Sequence, residues 1–436
     1  MRCTRCLRMP APNVQTRRDS LFLSQNFYSN NIIAKLSNNP ANPISLKQMM
    51  TFGENMTEDK LIQGGNFVRQ ELPVRIAHRI RDLQNLPFVV GLNPNLERVY
   101  ISYLDAFERI RKFPQIQNLS DNDRFVDMLR ELLKSHWRTI PTMMVGLLES
   151  SMHLPPAARE RFMTRMIRSR IARRVLAEQH IALTTQYHDT LEHGPIADAA
   201  DHIGIINKSL SPYKSIKSLE ALLPQVTGVQ TEIQIDGKNV KSINFAFIED
   251  HIQFICFELI KNSVLAALQD ENRREMAKVV NVTISETDHL IGVRISDQSG
   301  GISPEYQPPI YSKDDRPLIT ASRSGLLSFS SLSSSSSSNN QSLLRSQQQH
   351  GKQQDYYLNL FRKSPRLGAT IAEQLGEEAD ARLGQPGNRI RFGLSLGLCK
   401  VYAEYFGGHL DLFTVDGYGS DAYLTIPKLG TRAANI

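Results

Sequence analysis

The chain has few cysteines, no long apolar run and only a small excess of positive charge. Four cysteines in 436 residues do not make a disulfide framework. No run of about eighteen apolar residues is present, so a membrane span is not expected. The 51 basic and 44 acidic residues give a net charge of +7. Nucleic-acid binders concentrate a larger basic excess on one face, so nucleic-acid binding is not expected.

The N-terminus is rich in arginine and lacks acidic residues before Asp19. Its five arginines are Arg2, Arg5, Arg8, Arg17 and Arg18. This composition is typical of mitochondrial transit peptides, and residues 1–30 are predicted to be one. A basic tail without structure is the alternative. Cys3 and Cys6 have the CxxC spacing of a zinc site but no second pair, so we interpret the spacing as chance.

Residues 44–190 show helical periodicity and are predicted to form an antiparallel four-helix bundle. Leu72, Ile76 and Ile80 recur at steps of four, and Pro73 is predicted to lie in the first turn of their helix. Three further segments have the same period: Tyr103–Ile110, Phe125–Leu133 and Met163–Ile171. The basic residues between Arg159 and Arg174 are interpreted as the solvated face of an amphipathic helix.

Residues 200–430 mix strand and helix patterns and are predicted to form an α/β sandwich, which makes the whole chain α+β. Two hairpins are predicted, Val229–Ile235 with Val240–Phe247 around Asp236-Gly237, and Val279–Ile284 with Leu290–Ile295. The predicted helices are Asp250–Gln269 and Leu394–Phe406, and the last strands are His409–Val415 and Asp421–Ile426. Cys256 and Cys399 are expected in the core.

A long segment at residues 304–391 interrupts this second part. Its middle, Ser328–Gln354, is dominated by Ser, Gln and Asn and buries too little apolar surface to order itself. Such a segment inside a domain is either a functional lid or an insertion.

Three short motifs follow one another along the second part. Glu258 and Asn262 are four residues apart on a predicted helix, so their side chains share one face. This pair suits a general base beside a Mg²⁺ ligand, although a polar helix face is the simpler interpretation. Asp297-Gln-Ser-Gly-Gly301 follows a strand, where it predicts either a ligand contact or a tight turn. Gly393-Leu-Ser-Leu-Gly397 opens a helix, where glycines expose phosphate-binding N–H groups or only aid packing.

Together these motifs resemble the Bergerat-fold ATPase superfamily, and within it the mitochondrial pyruvate dehydrogenase kinase and branched-chain 2-oxo acid dehydrogenase kinase family. The resemblance covers Phe52–Gly430 apart from residues 304–391. It extends outside the ATP site to FVRQELPVRIAHRI, LPF, SHWRTIPTMMVGLLE, SRIARRVLAEQHIAL and YAEYFGGHLDL.

The resemblance implies a role for each matching residue. Glu258 is expected to be the general base, with Lys261 beside the phosphates and His136 close to the glutamate. A histidine with a purely structural place between the domains is the alternative for His136. Asn262 is expected to hold Mg²⁺ on ATP, and Asp297, with Ser420 beside it, to bind adenine. The expected phosphate cradle comprises Gly301, Gly393, Ser395, Leu396 and Gly397. Residues 304–391 are expected to be an expanded ATP lid with a disordered Ser/Gln-rich insert.

The resemblance also implies a mitochondrial matrix enzyme that works as a homodimer. The expected reaction is serine phosphorylation, and so inactivation, of the decarboxylase subunit of the pyruvate dehydrogenase complex. The helical bundle is expected to dock on a lipoyl domain of the acyltransferase core. The branched-chain complex is the alternative substrate. A pseudokinase is a further alternative, because Ser299 and Ser395 occupy positions where the family usually has glycine.

Overall fold

A computed structural model describes residues 30–136, 139–194, 201–302 and 395–428. The predicted transit peptide lies outside these residues except for residue 30, and the predicted lid, residues 304–391, lies outside them entirely. Cys3, Cys6 and Gly393 are also outside. The described chain combines helices with two β-sheets, which confirms the α+β class. The domain boundaries at 44–190 and 200–430 stay predictions.

The first half of the described chain is helical. A helical segment at residues 30–36 precedes α1 (Leu46–Gly53), α2 (Glu58–Gln84), α3 (Phe88–Gly91), α4 (Pro94–Lys112), α5 (Leu119–Ser135), α6 (Thr139–Glu149), a 3₁₀ turn (Ser151–His153) and α7 (Pro156–His193). Side-chain caps begin three of the long helices: Thr57, Asn93 and Asn118 each accept a backbone N–H of the first turn. Helix α2 packs against α4, α5 and α7, and its apolar residues lie in the core.

The predicted position of Pro73 in a first helical turn is wrong. Helix α2 begins fifteen residues earlier, at Glu58, and continues through the proline. The missing N–H removes one hydrogen bond, but Leu61, Val68 and Leu72 are buried along the same helix. Burial of this long apolar face therefore holds the helix together across the proline.

The solvated basic face predicted for Arg159–Arg174 is also wrong. Of the seven arginines in this stretch, only Arg161 and Arg165 are exposed. Arg159 is 2% exposed, and Arg173 lies 4.6 Å from the centre of the Tyr103 ring. Helix α7 packs against α2, α5 and the later helix Ser395–Tyr405, so several of its faces are covered. Buried arginines keep their charge by pairing with neighbours.

The second half supplies two sheets. Its elements are β1 (His202–Ile203), β2 (Ile206–Leu210), α8 (Pro212–Lys217), α9 (Leu223–Thr227), β3 (Glu232–Asp236), β4 (Phe245–Ile248), α10 (Glu249–Gln269), β5 (Val279–Glu286), β6 (Leu290–Asp297), α11 (Ser395–Tyr405), β7 (His409–Val415) and β8 (Gly419–Pro427), with 3₁₀ turns at Ser218–Ala221 and Glu271–Lys278. One sheet has the order β1-β2-β4, and the other has the order β3-β5-β6-β8-β7.

The first predicted hairpin is wrong and the second is confirmed. Strand β3 pairs with β5 in parallel, whereas β4 pairs with β2 in the other sheet. All four residues of β4 are buried, so both faces of this strand must be covered by other elements. Strand β3 is half-exposed, and the two strands therefore lie in different sheets. Strands β5 and β6 form the predicted antiparallel hairpin.

Helices α10 and α11 pack on each other and on the five-stranded sheet. Helix α10 is apolar around most of its circumference, as expected for a helix covered on several sides. Within the described residues, Glu249–Leu268 is the one segment long and apolar enough to cross a membrane. Of its most apolar stretch, 72% is buried inside the molecule. Cys256 and Cys399 lie in the core, as predicted.

Candidate functional site

Glu258 lies in the middle of α10, and its side chain is buried, with 3% of its surface exposed. Lys261, one turn further on, donates to both carboxylate oxygens at 2.7 and 2.8 Å. The Lys261 side chain is 7% exposed, so the pair is shielded from water. Sequence reasoning assigned Lys261 to the phosphates, but in this structure its ammonium group neutralises the glutamate. An i,i+3 spacing of Glu and Lys was the available signal for this contact.

Asn262 follows Lys261 and is half-buried. Its position four residues after Glu258 places both side chains on one face of α10. A carboxamide oxygen is a hard ligand of the kind that Mg²⁺ accepts. The face therefore carries a carboxylate and a neutral oxygen ligand one helical turn apart.

Asp297 ends strand β6 and joins three parts of the chain. Its Oδ2 accepts the Ser263 hydroxyl of α10 at 3.1 Å. Its Oδ1 accepts the backbone N–H groups of Ser299 at 2.9 Å and Ser420 at 3.3 Å. Ser420 lies opposite Asp297 in the β6–β8 ladder, so the sheet register brings the two predicted residues together.

Ser299 fits the turn after β6 without strain. The described non-glycine residues with positive φ are Asn55 and Asn239, so Ser299 has an ordinary φ. Its hydroxyl donates to the backbone oxygen of Ser263 at 3.0 Å. The residue that departs from the family pattern therefore adds a hydrogen bond between this turn and α10.

The turn after β6 and the turn between β7 and β8 fit closely together. Gly300 N–H donates to Tyr418 O at 3.1 Å, and Gly417 N–H donates to Gly300 O at 2.8 Å. Gly301 has φ of +75°, and a Cβ there would lie 2.3 Å from Val415 O. Only glycine fits at such an approach.

Arg273 is a site residue that sequence reasoning missed. Its Nη1 donates to Gln298 O at 3.2 Å, and its Nη2 donates to Gly417 O at 3.0 Å. Its Nε pairs with Asp270 at 3.1 Å. The guanidinium group thus holds both turns around Asp297. No sequence signal marks it, because Arg273 lies in a polar stretch with another arginine, Arg274, beside it.

Helix α11 begins at Ser395, so its first turn contains the predicted cradle residues Leu396 and Gly397. Gly397 is buried and Leu396 packs at the edge of the core. Two residues later, Cys399 faces α10, with its sulfur 4.0 Å from Ile255 O. Burial raises the pKa of the Cys399 thiol, and the neighbouring Glu258 carboxylate raises it further. The start of α11 is therefore close to the face of α10 that carries Glu258.

His136 caps the C-terminus of α5 on the helical side of the molecule. Its Nε2 lies 3.2 Å from Ser102 O, and its ring lies 5.9 Å from that of Tyr103. Burial, with smaller contributions from Arg173 and Arg170, lowers the pKa of His136 to about 3. The described contacts of the imidazole are with these helical residues, and its predicted pairing with Glu258 stays a prediction.

Comparisons with known proteins find similarity to mitochondrial dehydrogenase kinases. Residues 43–207 match the family model described as "Mitochondrial branched-chain alpha-ketoacid dehydrogenase kinase". The chain is 27% identical to "[Pyruvate dehydrogenase (acetyl-transferring)] kinase 2, mitochondrial" of Saccharomyces cerevisiae, over 93% of this chain and 86% of that protein. It is 25% identical to the mitochondrial pyruvate dehydrogenase kinase of Arabidopsis thaliana, over 89% and 90% of the two chains.

Proposed function

We propose that this chain, which belongs to the mitochondrial pyruvate dehydrogenase kinase and branched-chain 2-oxo acid dehydrogenase kinase family, is an ATP-dependent protein-serine kinase of the pyruvate dehydrogenase complex. The observation that carries the proposal is the hydrogen bond that connects α10, which bears the proposed base and Mg²⁺ ligand, to Asp297, the proposed adenine-binding residue. Helix α10 bears Glu258 and Asn262, and Ser263 of the same helix binds Asp297 at 3.1 Å. The relatives named as pyruvate dehydrogenase kinases span 89–93% of the chain, which supports this substrate.

The residues fit adenine. A carboxylate has about four lone-pair positions, and Asp297 accepts three hydrogen bonds from Ser263, Ser299 and Ser420. One acceptor position is thus left for the amino group of adenine. The hydrogen bonds from α10 and from β8 hold the Asp297 carboxylate in one orientation. They therefore fix the direction in which this last acceptor position points.

The residues also fit magnesium and the phosphates. Asn262 would supply one oxygen ligand to Mg²⁺, and the backbone N–H groups in the first turn of α11 would face the triphosphate. Bound MgATP supplies the phosphoryl group for an in-line transfer. Such a transfer requires mainly positioning and charge neutralisation from the protein.

Glu258 would accept the proton of the substrate serine hydroxyl. The ion pair with Lys261 places a positive charge 2.7 Å from the Glu258 carboxylate. Movement of Lys261 toward the phosphates would open one side of the Glu258 carboxylate to the serine hydroxyl. The same lysine would then neutralise charge at the transferred group.

The finer architecture follows from the family. We propose a docking and regulatory four-helix bundle at residues 44–190 and a Bergerat-type ATP-binding domain at residues 200–430, with residues 304–391 as the lid. The bundle would bind a lipoyl domain of the acyltransferase core, two copies would pair as a homodimer, and the enzyme would work in the mitochondrial matrix after removal of residues 1–30.

The branched-chain 2-oxo acid dehydrogenase complex is the second candidate substrate. The match of residues 43–207 to the branched-chain kinase model favours it. The structure of the turn at Ser299 argues against the pseudokinase alternative. This serine has an ordinary φ and adds a hydrogen bond, so it does not distort the turn. Docking surfaces decide between the two complexes, and the shared fold does not.

The test is transfer of radiolabelled phosphate from ATP to the purified pyruvate and branched-chain complexes. The enzyme would lack about the first thirty residues. Glu258→Gln should lose the transfer, and Glu271→Gln, at an exposed position that pairs with Arg274, should keep it. Label on the pyruvate complex supports the proposal, and label on the branched-chain complex alone selects the second substrate. If a folded protein labels neither complex, the kinase proposal is wrong.

A further inference from the structure

A basic cavity lies between residues 39–42, α2 and α7, away from the candidate kinase site. Four arginines line it, Arg75 and Arg79 from α2 and Arg165 and Arg168 from α7, together with His78. Its volume of about 110 Å³ exceeds the roughly 10–15 Å³ that one ordered water requires. We call this cavity the arginine pocket.

Positive charge exceeds negative charge around the arginine pocket. Arg75 pairs with Glu71 at 2.8 Å, Arg79 and Arg165 share Asp82, and Arg168 pairs with Glu404 at 3.1 Å. Lys400 also approaches Glu404, at 3.9 Å. Five cations thus surround three carboxylates, and an anion would reduce the excess.

Two donors at the pocket have no partner. Arg79 Nε and Arg168 Nε are buried, and no described residue accepts a hydrogen bond from either. A buried donor without an acceptor is unfavourable, and a charged donor more so. Burial is also the main cause that lowers the pKa of the Arg79 guanidinium. Both arginines line the same cavity, so one ligand with several acceptor oxygens could satisfy both.

The bond between Arg168 and Glu404 does not prevent such a ligand from binding. Arg168 uses Nη2 for Glu404, which leaves its Nε edge available. Glu404 has Lys400 as a second cation. Arg168 can therefore take an additional anion while Glu404 keeps a positively charged neighbour. The hydroxyl groups of Thr164 and Ser169, which also line the pocket, add two possible donors.

We propose that the arginine pocket binds a phosphate group, either inorganic phosphate or the phosphate of a small monoester. A guanidinium group matches tetrahedral and planar oxyanions with paired N–H donors. The phosphate class fits this pocket because four arginines converge on one cavity, and a phosphate offers more acceptor oxygens and more charge than a carboxylate. The inference does not depend on the proposed kinase activity.

The test is calorimetric titration of the full chain with inorganic phosphate and, separately, with glycerol 3-phosphate, at constant ionic strength set with chloride. Arg79→Gln and Arg168→Gln should each weaken phosphate binding by about tenfold or more. Arg168→Lys keeps the charge and the contact with Glu404 but lacks the Nε–H group, so it should weaken binding partly. Arg130→Gln is the control, because Arg130 is half-exposed on α5 and pairs with Asp127.

The possible outcomes distinguish free phosphate from a phosphate monoester as the ligand, and either of them from a pocket that binds no phosphate. Tighter binding of inorganic phosphate assigns the pocket to the free ion, and tighter binding of glycerol 3-phosphate assigns it to a monoester. A second readout is NMR of the arginine Nε–H groups: the signals of Arg79 and Arg168, identified from their lysine variants, should shift on addition of phosphate. If phosphate binding is absent, or is equal in Arg79→Gln, Arg168→Gln and Arg130→Gln, the arginine pocket is no phosphate site.

Discussion

The guanidinium group of Arg273 connects backbone carbonyls in the two turns that frame Asp297. Gln298 O and Gly417 O both accept from it, at 3.2 and 3.0 Å. The contacts of Arg273 are with backbone carbonyls and with Asp270. We therefore expect it to be a positioning residue for the proposed adenine end of the site.

Arg273→Ala should raise the KM for ATP by about tenfold and change kcat little. Loss of the two bonds loosens the turn that carries Asp297, and hydrogen bonds to charged groups contribute about 1.5–3 kcal/mol each. Steady-state kinetics at varied ATP concentration measures the effect, with Arg274→Ala as the control on the neighbouring exposed arginine. An equal loss in kcat, with KM unchanged, would contradict a positioning role.

At the residue scale, the resemblance selected the positions and placed Ser420 beside Asp297, but it did not predict the contacts themselves. The roles of Glu258, Asp297 and Ser420 stay predictions. Only the structure reveals that the backbone N–H of Ser420 donates to Asp297 Oδ1 across the β6–β8 ladder. Lys261 shows the same limit, since helical spacing allows either the phosphates or Glu258 as its partner.

Helix α2 lies close to its neighbours at Gly65. A Cβ at Gly65 would lie 2.7 Å from Ile116 Cδ1 and 2.9 Å from Asn122 Oδ1. Asn122 is fully buried, and its Oδ1 is 2.9 Å from His180 Nε2 of α7. The absence of a side chain at Gly65 thus permits a buried polar contact between α5 and α7.

Gly65→Ala should lower the free energy of unfolding by about 2 kcal/mol. Overpacking typically costs about 1–3 kcal/mol, which exceeds the gain of up to about 1 kcal/mol from a better helix former. Denaturant unfolding measures the change. Gly91→Ala is the matched control, because nothing lies within 4 Å of its new Cβ. Equal stability of the two variants would show that the contact between the helices can relax.

At the element scale, helices were predicted better than strand partners. Apolar periodicity located the long helices, but it gave α2 a start too late because Pro73 is a signal for a first turn. The β5–β6 hairpin is local, so its alternating pattern was sufficient. The partner of β3 is β5, which lies beyond α10 in the sequence, and no local pattern contains that information.

Two buried histidines, His180 and His251, and the half-buried His136 make the stability of the whole molecule depend on pH. Burial lowers the pKa of His136 to about 3, of His180 to about 4 and of His251 to about 3. In the unfolded chain, these groups take up protons near their ordinary value of 6.5. Between about pH 6.5 and these lowered values, the unfolded state binds more protons, so stability falls as pH falls.

His251→Phe should reduce this pH dependence. The imidazole is buried against the rings of Tyr402 and Phe406, and its Nδ1 has no hydrogen-bond partner among the described residues, so a phenyl ring can replace it. The slope of unfolding free energy between pH 6.5 and 5.5 should decrease by roughly 1 kcal/mol per pH unit, because the imidazole of the unfolded chain is only partly protonated over this interval. Urea unfolding at several pH values measures the slope. Tyr402→Phe, which removes no imidazole, should keep it; a slope unchanged in His251→Phe would contradict the assignment.

The measurement that tests the site most directly is nucleotide affinity, with ATP compared with GTP, in Asp297→Asn and Glu258→Gln. Asp297 accepts the adenine amino group in this account, so Asp297→Asn should abolish most of the preference for ATP over GTP. Glu258→Gln should bind ATP within about twofold of the parent chain yet transfer no phosphate, because a base acts on the protein substrate and not on the nucleotide. A preserved ATP preference in a folded Asp297→Asn variant would contradict the proposed ATP site.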